Sequence, residues 1–223
     1  MSAANLNFDV LVVDYNMSNL CSVESACRYV GLSPIVSSDP TLVAKAPALI
    51  LPGVGAFGEA MSRLRELGLE KEIKDFVQTG KPVLGICLGL QLLFSESVEF
   101  GRHKGLDIIA GRVLKFPNES DREVRLPVPH IGWNAVEENA DHVWKGTLLA
   151  TTKSGEFMYF VHSFFVEPND EKVRLATTQY GETRYCSAIK ESNITALQFH
   201  PEKSGKAGLA IYKAFAESLK GQQ

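Results

Sequence analysis

Two residues far apart in the chain carry the side chains best suited to covalent chemistry. Cys87 lies in Val83-Leu84-Gly85-Ile86-Cys87-Leu88-Gly89, and His200 lies in Gln198-Phe199-His200-Pro201-Glu202. The first segment is a G-x-C-x-G at the point where a buried strand would run straight into a helix. That is the thiol form of a nucleophile elbow, in which glycines let a tight turn close around the reactive side chain. A helix beginning at Leu88 aims its free N–H groups and positive dipole end at the sulfur, which favours the thiolate. The same N–H groups can hold an oxyanion. From this segment alone, a buried structural cysteine between two packing glycines is an equal reading.

A thiolate nucleophile needs a base that can also return a proton to the leaving group. His200 ends an apolar, strand-like run at 194–199, and Pro201 biases it towards extended geometry. In an extended segment residues two apart point the same way. His200 and Glu202 then project together, and the carboxylate can fix the imidazole tautomer and stabilise its cation. The other four histidines fit ordinary roles: His130 and His162 as polar residues in strands or beside them, His103 and His142 as solvated surface. Cys21, Cys27 and Cys186 read as small buried hydrophobes. They form no CxxC pair and no secreted disulfide pattern. With no HExxH and no close histidine pair, neither a metal nor another cofactor is expected.

These residues need a scaffold, and the first half of the chain supplies an alternating one. Strands are expected at 8–14, 34–36, 48–51 and 83–86. Helices are expected at 18–29 (stopped by Gly31), from an Asp39 cap with Pro40 in the first turn, at 57–79 with a break at Gly68, and at 88–94. A β-α-β-α order predicts a mostly parallel sheet with helices on both faces. From 106 to 199 the segments are strand-like and separated by turn residues, which predicts an added antiparallel region. A helix over 205–219 closes the chain. No repeat, low-complexity tract or linker interrupts residues 1–223, so one domain is expected.

Composition limits the partners. Of the 223 residues, 22% are charged, 45% are hydrophobic, and the formal net charge is −3. That charge gives no reason to expect nucleic acid or an anionic membrane surface. The first apolar run has no preceding Lys or Arg and is too short for a signal segment, and no stretch reaches a membrane-spanning length. A cytoplasmic protein with a small-molecule or protein partner is expected.

Three segments in order, Pro52-Gly53-Val54-Gly55, Gly85-Ile86-Cys87-Leu88-Gly89-Leu90-Gln91 and Phe199-His200-Pro201-Glu202, resemble those of the class I (triad) glutamine amidotransferases, over almost the whole chain. The resemblance implies a flavodoxin-like fold, with Cys87 as nucleophile, His200 as base and Glu202 as its carboxylate. It implies an oxyanion hole from the N–H groups of Val54 and Leu88, and glutamine contacts from Gly53, Gly55 and Gln91. Glu99 is the candidate for the glutamine amino group. Asp14-Tyr15, Ser18-Asn19-Leu20, Pro129-His130-Ile131-Gly132-Trp133-Asn134, Tyr159-Phe160-Val161-His162-Ser163 and His200–Gly205 further resemble the glutaminase subunits of imidazole glycerol phosphate synthases.

That narrower resemblance implies L-glutamine as substrate and a cyclase partner with a (β/α)₈ barrel. In that family the PHxGWN segment borders the docking face, which makes His130, Trp133 and Asn134 candidate interface residues; Tyr159, as an aromatic of the kind enriched at binding hot spots, and Lys203, beside the triad, are candidates too. One departure is visible: the first loop usually carries two glycines where this chain has Asn16 and Ser18. A paralogue serving another synthase, such as one that amidinates surface sugars, is therefore an alternative. So is a cysteine hydrolase or peptidase on the same scaffold. Gly53 and Gly55 flank the Val54 peptide and make it easy to flip, so partner and acceptor binding are expected to set its orientation.

Overall fold

A computed structural model describes residues 8–17, 19–117, 127–139 and 143–221. The chain begins β1 (Val10–Val13), α1 (Leu20–Tyr29), β2 (Pro34–Ser37), α2 (Pro40–Lys45), β3 (Leu49–Gly53), α3 (Phe57–Glu66), α4 (Leu69–Gln78), β4 (Val83–Cys87) and α5 (Leu88–Leu92). Strands β1, β3 and β4 are buried along their whole length. They therefore read as unbroken apolar runs rather than alternating ones. Asp39 caps α2 by accepting from the Thr41 amide at 2.8 Å, and Gly68 separates α3 from α4 in a left-handed conformation.

The second half contributes β5 (Phe94–Ser97), β6 (His103–Lys104), β7 (Ile109–Lys115), β8 (His130–Glu138), β9 (Glu156–His162), β10 (Phe164–Pro168), β11 (Arg174–Tyr180), β12 (Thr183–Glu191), β13 (Ile194–Leu197) and finally α6 (Gly205–Lys220). Among the described residues these strands join one sheet in the order β2-β1-β3-β4-β13-β12-β10-β7-β5-β6, with β11, β8 and β9 continuing from β12 along a second path. The first five strands of that order run parallel. From β12 outward the pairings are antiparallel except for β5 with β7. One apolar cluster packs α2, α3, α4 and α5 on one face of the sheet, and a second packs α1 and α6 on the other.

Three expectations are corrected. The helix expected over 88–94 stops at Leu92, because Phe94 is fully buried and starts a strand beside Ile109 of β7. The segment 130–138 is a nine-residue strand, hidden in the sequence by the charged and small residues of its outer half. Cys21 is exposed, on the outer side of α1, whereas Cys27 and Cys186 are buried. No helix among the described residues is long and apolar enough to cross a membrane.

The elbow depends on how closely α5 approaches β3. A Cβ on Gly89 would lie 1.7 Å from the Leu51 carbonyl oxygen, and one on Gly85 would lie 2.8 Å from the Ala196 side chain. The first of these contacts is with backbone, which cannot step aside. Gly89→Ala is therefore expected to destabilise the fold by about 3 kcal/mol or more. A urea midpoint close to wild type would show that β3 and α5 are not held this tightly.

Candidate active site

Cys87 sits at the corner between β4 and α5 with φ 54° and ψ −108°, a backbone conformation that non-glycine residues rarely adopt. Strain of this kind persists only where the surroundings over-determine it, and it gathers at functional sites. The sulfur lies in a cleft of about 420 Å³ at the C-terminal edge of the parallel strands, beside Val54, Leu88, Gln91, Glu99 and His162. As a thiol it reaches the Val161 carbonyl at 3.8 Å. As a thiolate it can accept from Gln198 Nε2, also at 3.8 Å.

His200 follows β13 and is laced to β9. Its amide donates to the Tyr159 carbonyl at 2.9 Å. The Ser204 hydroxyl donates to the His200 carbonyl at 2.7 Å and accepts from the Tyr159 amide at 3.0 Å. His200 Nδ1 lies 2.7 Å from Glu202 Oε1, with both side chains buried. A carboxylate can only accept, so Nδ1 carries the proton and Nε2 is left for Cys87. The pairing arises differently from the expectation. Residues 201–203 form a single 3₁₀ turn rather than extended chain, and the turn curls Glu202 back under the ring.

Burial alone would pull the His200 pKa down. The charge and hydrogen bond of Cys87, then those of Glu202, outweigh it and hold the value up to about 10. The raised value keeps the His200 imidazole protonated at neutral pH, with Glu202 at its Nδ1 and the Cys87 sulfur beside it.

The flanking groups are partly engaged. Gln91 is buried, and its Nε2 donates to the Phe164 carbonyl at 3.0 Å and to Gln198 Oε1 at 3.2 Å, leaving its oxygen as the free end. Glu99 borders the cleft, and its Oε2 accepts from the Phe57 amide at the start of α3 at 2.6 Å. Leu88 opens α5, so its amide has no acceptor within the helix. The Val54 amide, by contrast, donates to the Met17 carbonyl at 2.8 Å and so points away from an oxyanion at Cys87. The first loop grips its neighbours as well: Tyr15 donates to the Pro52 carbonyl at 2.7 Å. Asn16 takes the left-handed conformation open to it, with φ 64°. Ser18 and His142 lie outside the described residues.

The candidate interface residues separate by strand parity. In the β8–β9 pair, Ile131 faces Val161, Trp133 faces Tyr159, and Ala135 faces Phe157. Ile131, Trp133 and Phe157 stand 59%, 54% and 56% exposed. The Trp133 and Tyr159 rings meet edge to face at 6.1 Å, and Lys203 Nζ lies 5.8 Å from the Tyr159 ring. His130 is a correction. It is only 3% exposed because it falls on the inward parity of β8, and from there it cannot meet a partner. Asn134 shares that parity and donates to the Gln179 carbonyl at 2.9 Å. Met17 and Gln198 were not singled out in the sequence. Gln198 had a signal, as the lone amide in an otherwise apolar strand end; Met17 acts through its backbone and had none.

The class-I glutamine amidotransferase family model matches residues 11–218. The chain is 47% identical over 210 residues to the imidazole glycerol phosphate synthase subunit HisH of Syntrophotalea carbinolica, covering 93% of this chain and 99% of that one. It is 46% identical over 209 residues to the HisH subunit of Aquifex aeolicus, covering 92% and 94%. Among solved structures, a glutamine amidotransferase superimposes with TM-score 0.69 at 19% identity, covering 94% and 98%. PurLQS from Thermotoga maritima gives 0.66 at 18%, also covering 94% and 98%. These two likenesses are of fold.

The histidines generate a prediction about stability. Burial holds His130 and His162 down to about 4 and about 3. The titratable groups facing them are each other, Tyr180, Tyr185 and His200. Below about pH 6.5 the unfolded chain gains protons that the native state refuses, so this contribution is complete above 6.5 and lost as pH falls towards 4. His200 has the opposite sign: its contribution is complete below 6.5 and lost as pH rises through about 10. The urea midpoint is expected to fall from pH 7 to pH 5, and less steeply in His162→Asn. An equal slope in the variant would refute this.

Proposed function

The chain belongs to the class-I glutamine amidotransferase family, and we propose on that premise that it is the glutaminase subunit of an imidazole glycerol phosphate synthase in histidine biosynthesis. The observation that carries the chemistry is the buried His200–Glu202 pair beside Cys87 at the strained corner of β4 and α5. Relatives that share more than nine-tenths of the chain and are named for this synthase favour it over a paralogous pathway or a peptidase.

Cys87 attacks the carboxamide carbon of L-glutamine. The tetrahedral oxyanion is held by the Leu88 amide and by the Val54 amide once that peptide turns away from Met17. His200 protonates the departing ammonia, which leaves a glutamyl thioester on Cys87. A water molecule that gives its proton to His200 then releases glutamate. Losing one oxyanion donor lowers rates by roughly 10²–10³. The Val54–Met17 hydrogen bond therefore describes a chain at rest.

Ammonia must reach its acceptor before bulk water protonates it, which calls for a closed interface. The exposed apolar face of Ile131, Trp133 and Phe157, with Tyr159 and Lys203 beside the triad, suits a cyclase partner with a (β/α)₈ barrel. Its products would be imidazole glycerol phosphate and an aminoimidazole carboxamide ribotide.

A coupled assay tests the reading. With the cyclase partner and its nucleotide acceptor, glutamine hydrolysis should rise on the order of 10²-fold over the isolated chain, and Cys87→Ala should abolish it. Equal rates with and without partner and acceptor would refute the resting state. Full activity in Cys87→Ala would refute the nucleophile. Trp133→Ala is expected to weaken partner binding by about 2 kcal/mol, read by titration calorimetry; unchanged affinity would move the docking face elsewhere.

A further inference from the structure

Two neutral histidines lie beneath the docking strand in a cluster of aromatic rings, and the chemistry proposed above uses neither. His130 stacks on Tyr180 with ring centres 3.9 Å apart and on Phe160 at 5.1 Å. His162 contacts Phe116 at 5.3 Å and Tyr185 at 5.2 Å. Two imidazoles this deep require partners for four ring nitrogens. The partners form one chain. His162 Nδ1 is 2.8 Å from the Phe164 carbonyl and Nε2 is 3.2 Å from the Tyr185 hydroxyl. That hydroxyl is 3.3 Å from His130 Nδ1, and His130 Nε2 is 3.4 Å from Asn134 Nδ2.

The inner end dictates the direction of every link. A carbonyl only accepts, so His162 carries its proton on Nδ1 and offers Nε2 as an acceptor. Tyr185 then donates to His162, and its oxygen accepts from His130 Nδ1–H. The freed His130 Nε2 accepts from the Asn134 amide, whose other proton goes to the Gln179 carbonyl. No link competes with another, and each needs both rings neutral. The Phe164 carbonyl at the inner end also accepts from Gln91 Nε2, and Gln91 reaches Gln198, which lies against Cys87. His162, Phe164 and Gln91 all line the cleft.

We propose that His162, Tyr185 and His130 are positioning residues: a buried hydrogen-bond relay that fixes the Phe164–Gln91 wall of the glutamine site, with Asn134 as its outer end under the docking face. This rests on the glutaminase reading. The relay's own hydrogen bonds go to the wall that receives glutamine rather than to the sulfur or the His200 ring, so its loss acts on substrate affinity more than on turnover.

The test is steady-state glutamine hydrolysis with saturating cyclase partner. Tyr185→Phe removes both central links and keeps the ring; KM for glutamine is expected to rise about tenfold while kcat stays within about twofold. Asn134→Ala, at the part-exposed outer end, should raise KM about threefold. Phe116→Leu loosens the same aromatic cluster without touching a hydrogen bond, and should lower the thermal midpoint while KM holds. ¹⁵N NMR should find His130 and His162 as neutral Nδ1–H tautomers between pH 6 and 8. Wild-type KM in both relay variants, an equal rise in Phe116→Leu, or Nε2–H tautomers would each overturn the relay. If Tyr185→Phe does not fold, Asn134→Ala and Phe116→Leu decide it. A wild-type complex that hydrolyses no glutamine removes the glutaminase reading and the relay with it; a wrong KM pattern in an active enzyme removes the relay alone.

Discussion

The corner at Cys87 is the constraint around which the other parts are arranged. A residue with a side chain held at φ 54° stores about 1–3 kcal/mol of backbone strain. Left alone, the turn would relax and carry the sulfur away from the cleft. It cannot relax here because β4 lies between β3 and β13, paired to both along most of its length. From the other side, α5 presses down until Gly89 meets the Leu51 carbonyl. The parallel strands around it thus act as a clamp as well as a core. The same clamp places Gly53, Cys87 and the start of the His200 turn on one edge of the sheet, where open α/β sheets bind ligands.

With the sulfur fixed, the environment sorts the three buried histidines by charge. His200 lies between Cys87 and Glu202, whose charge and hydrogen-bond interactions with the ring outweigh desolvation. His130 and His162 lie in the same half of the sheet, with aromatic rings and neutral hydrogen-bond partners in place of carboxylates. Burial therefore keeps them uncharged. The difference is useful to the chemistry. In the proposed mechanism, a second cation close to Cys87 would compete with His200 for the sulfur and weaken the proton donor that the leaving group needs. Neutral rings supply hydrogen bonds without that competition. A single fold can run both kinds of histidine because the sign of a shift depends on which neighbours share the low dielectric, not on depth alone.

How much of this was legible in the chain depends on whether a feature lives in side-chain type or in backbone direction. The alternating half was readable because buried parallel strands such as β1 and β3 have no polar face, and because Asp39, Gly68 and Gly31 punctuate the helices. Cys87, His200 and Glu202 were readable because each is a distinctive side chain in a distinctive local sequence. His130 was misplaced because the strand over 130–138 was hidden in the sequence, and with it the parity that faces inward; a one-residue difference reverses every such assignment. Phe94 was given to a helix because its partner Ile109 lies beyond the window in which periodicity operates. Met17 was invisible because its role belongs to its carbonyl, and every residue has one.

That backbone contact also explains how such a site can be complete and quiet at once. The proposed triad residues lie together and the His200 pKa is held up to about 10, yet one of the two amides expected to receive the oxyanion is bonded to Met17. A single backbone hydrogen bond contributes about 1 kcal/mol net, which is small beside the roughly 2.7–4 kcal/mol that one oxyanion donor supplies in a transition state. The resting conformation is thus weakly held, and a modest push can reverse it. Val54 is partly exposed and lines the cleft, with glycines on both sides to absorb the rotation. A partner that contacts this rim needs to favour the turned peptide by only a little more than that one bond. Under the proposed function, ammonia would then be released where a closed interface can carry it, and glutamine would be spared when no acceptor is present. A stronger latch would need more from the partner than a rim contact can supply. A weaker one would leave the isolated chain hydrolysing glutamine to no purpose.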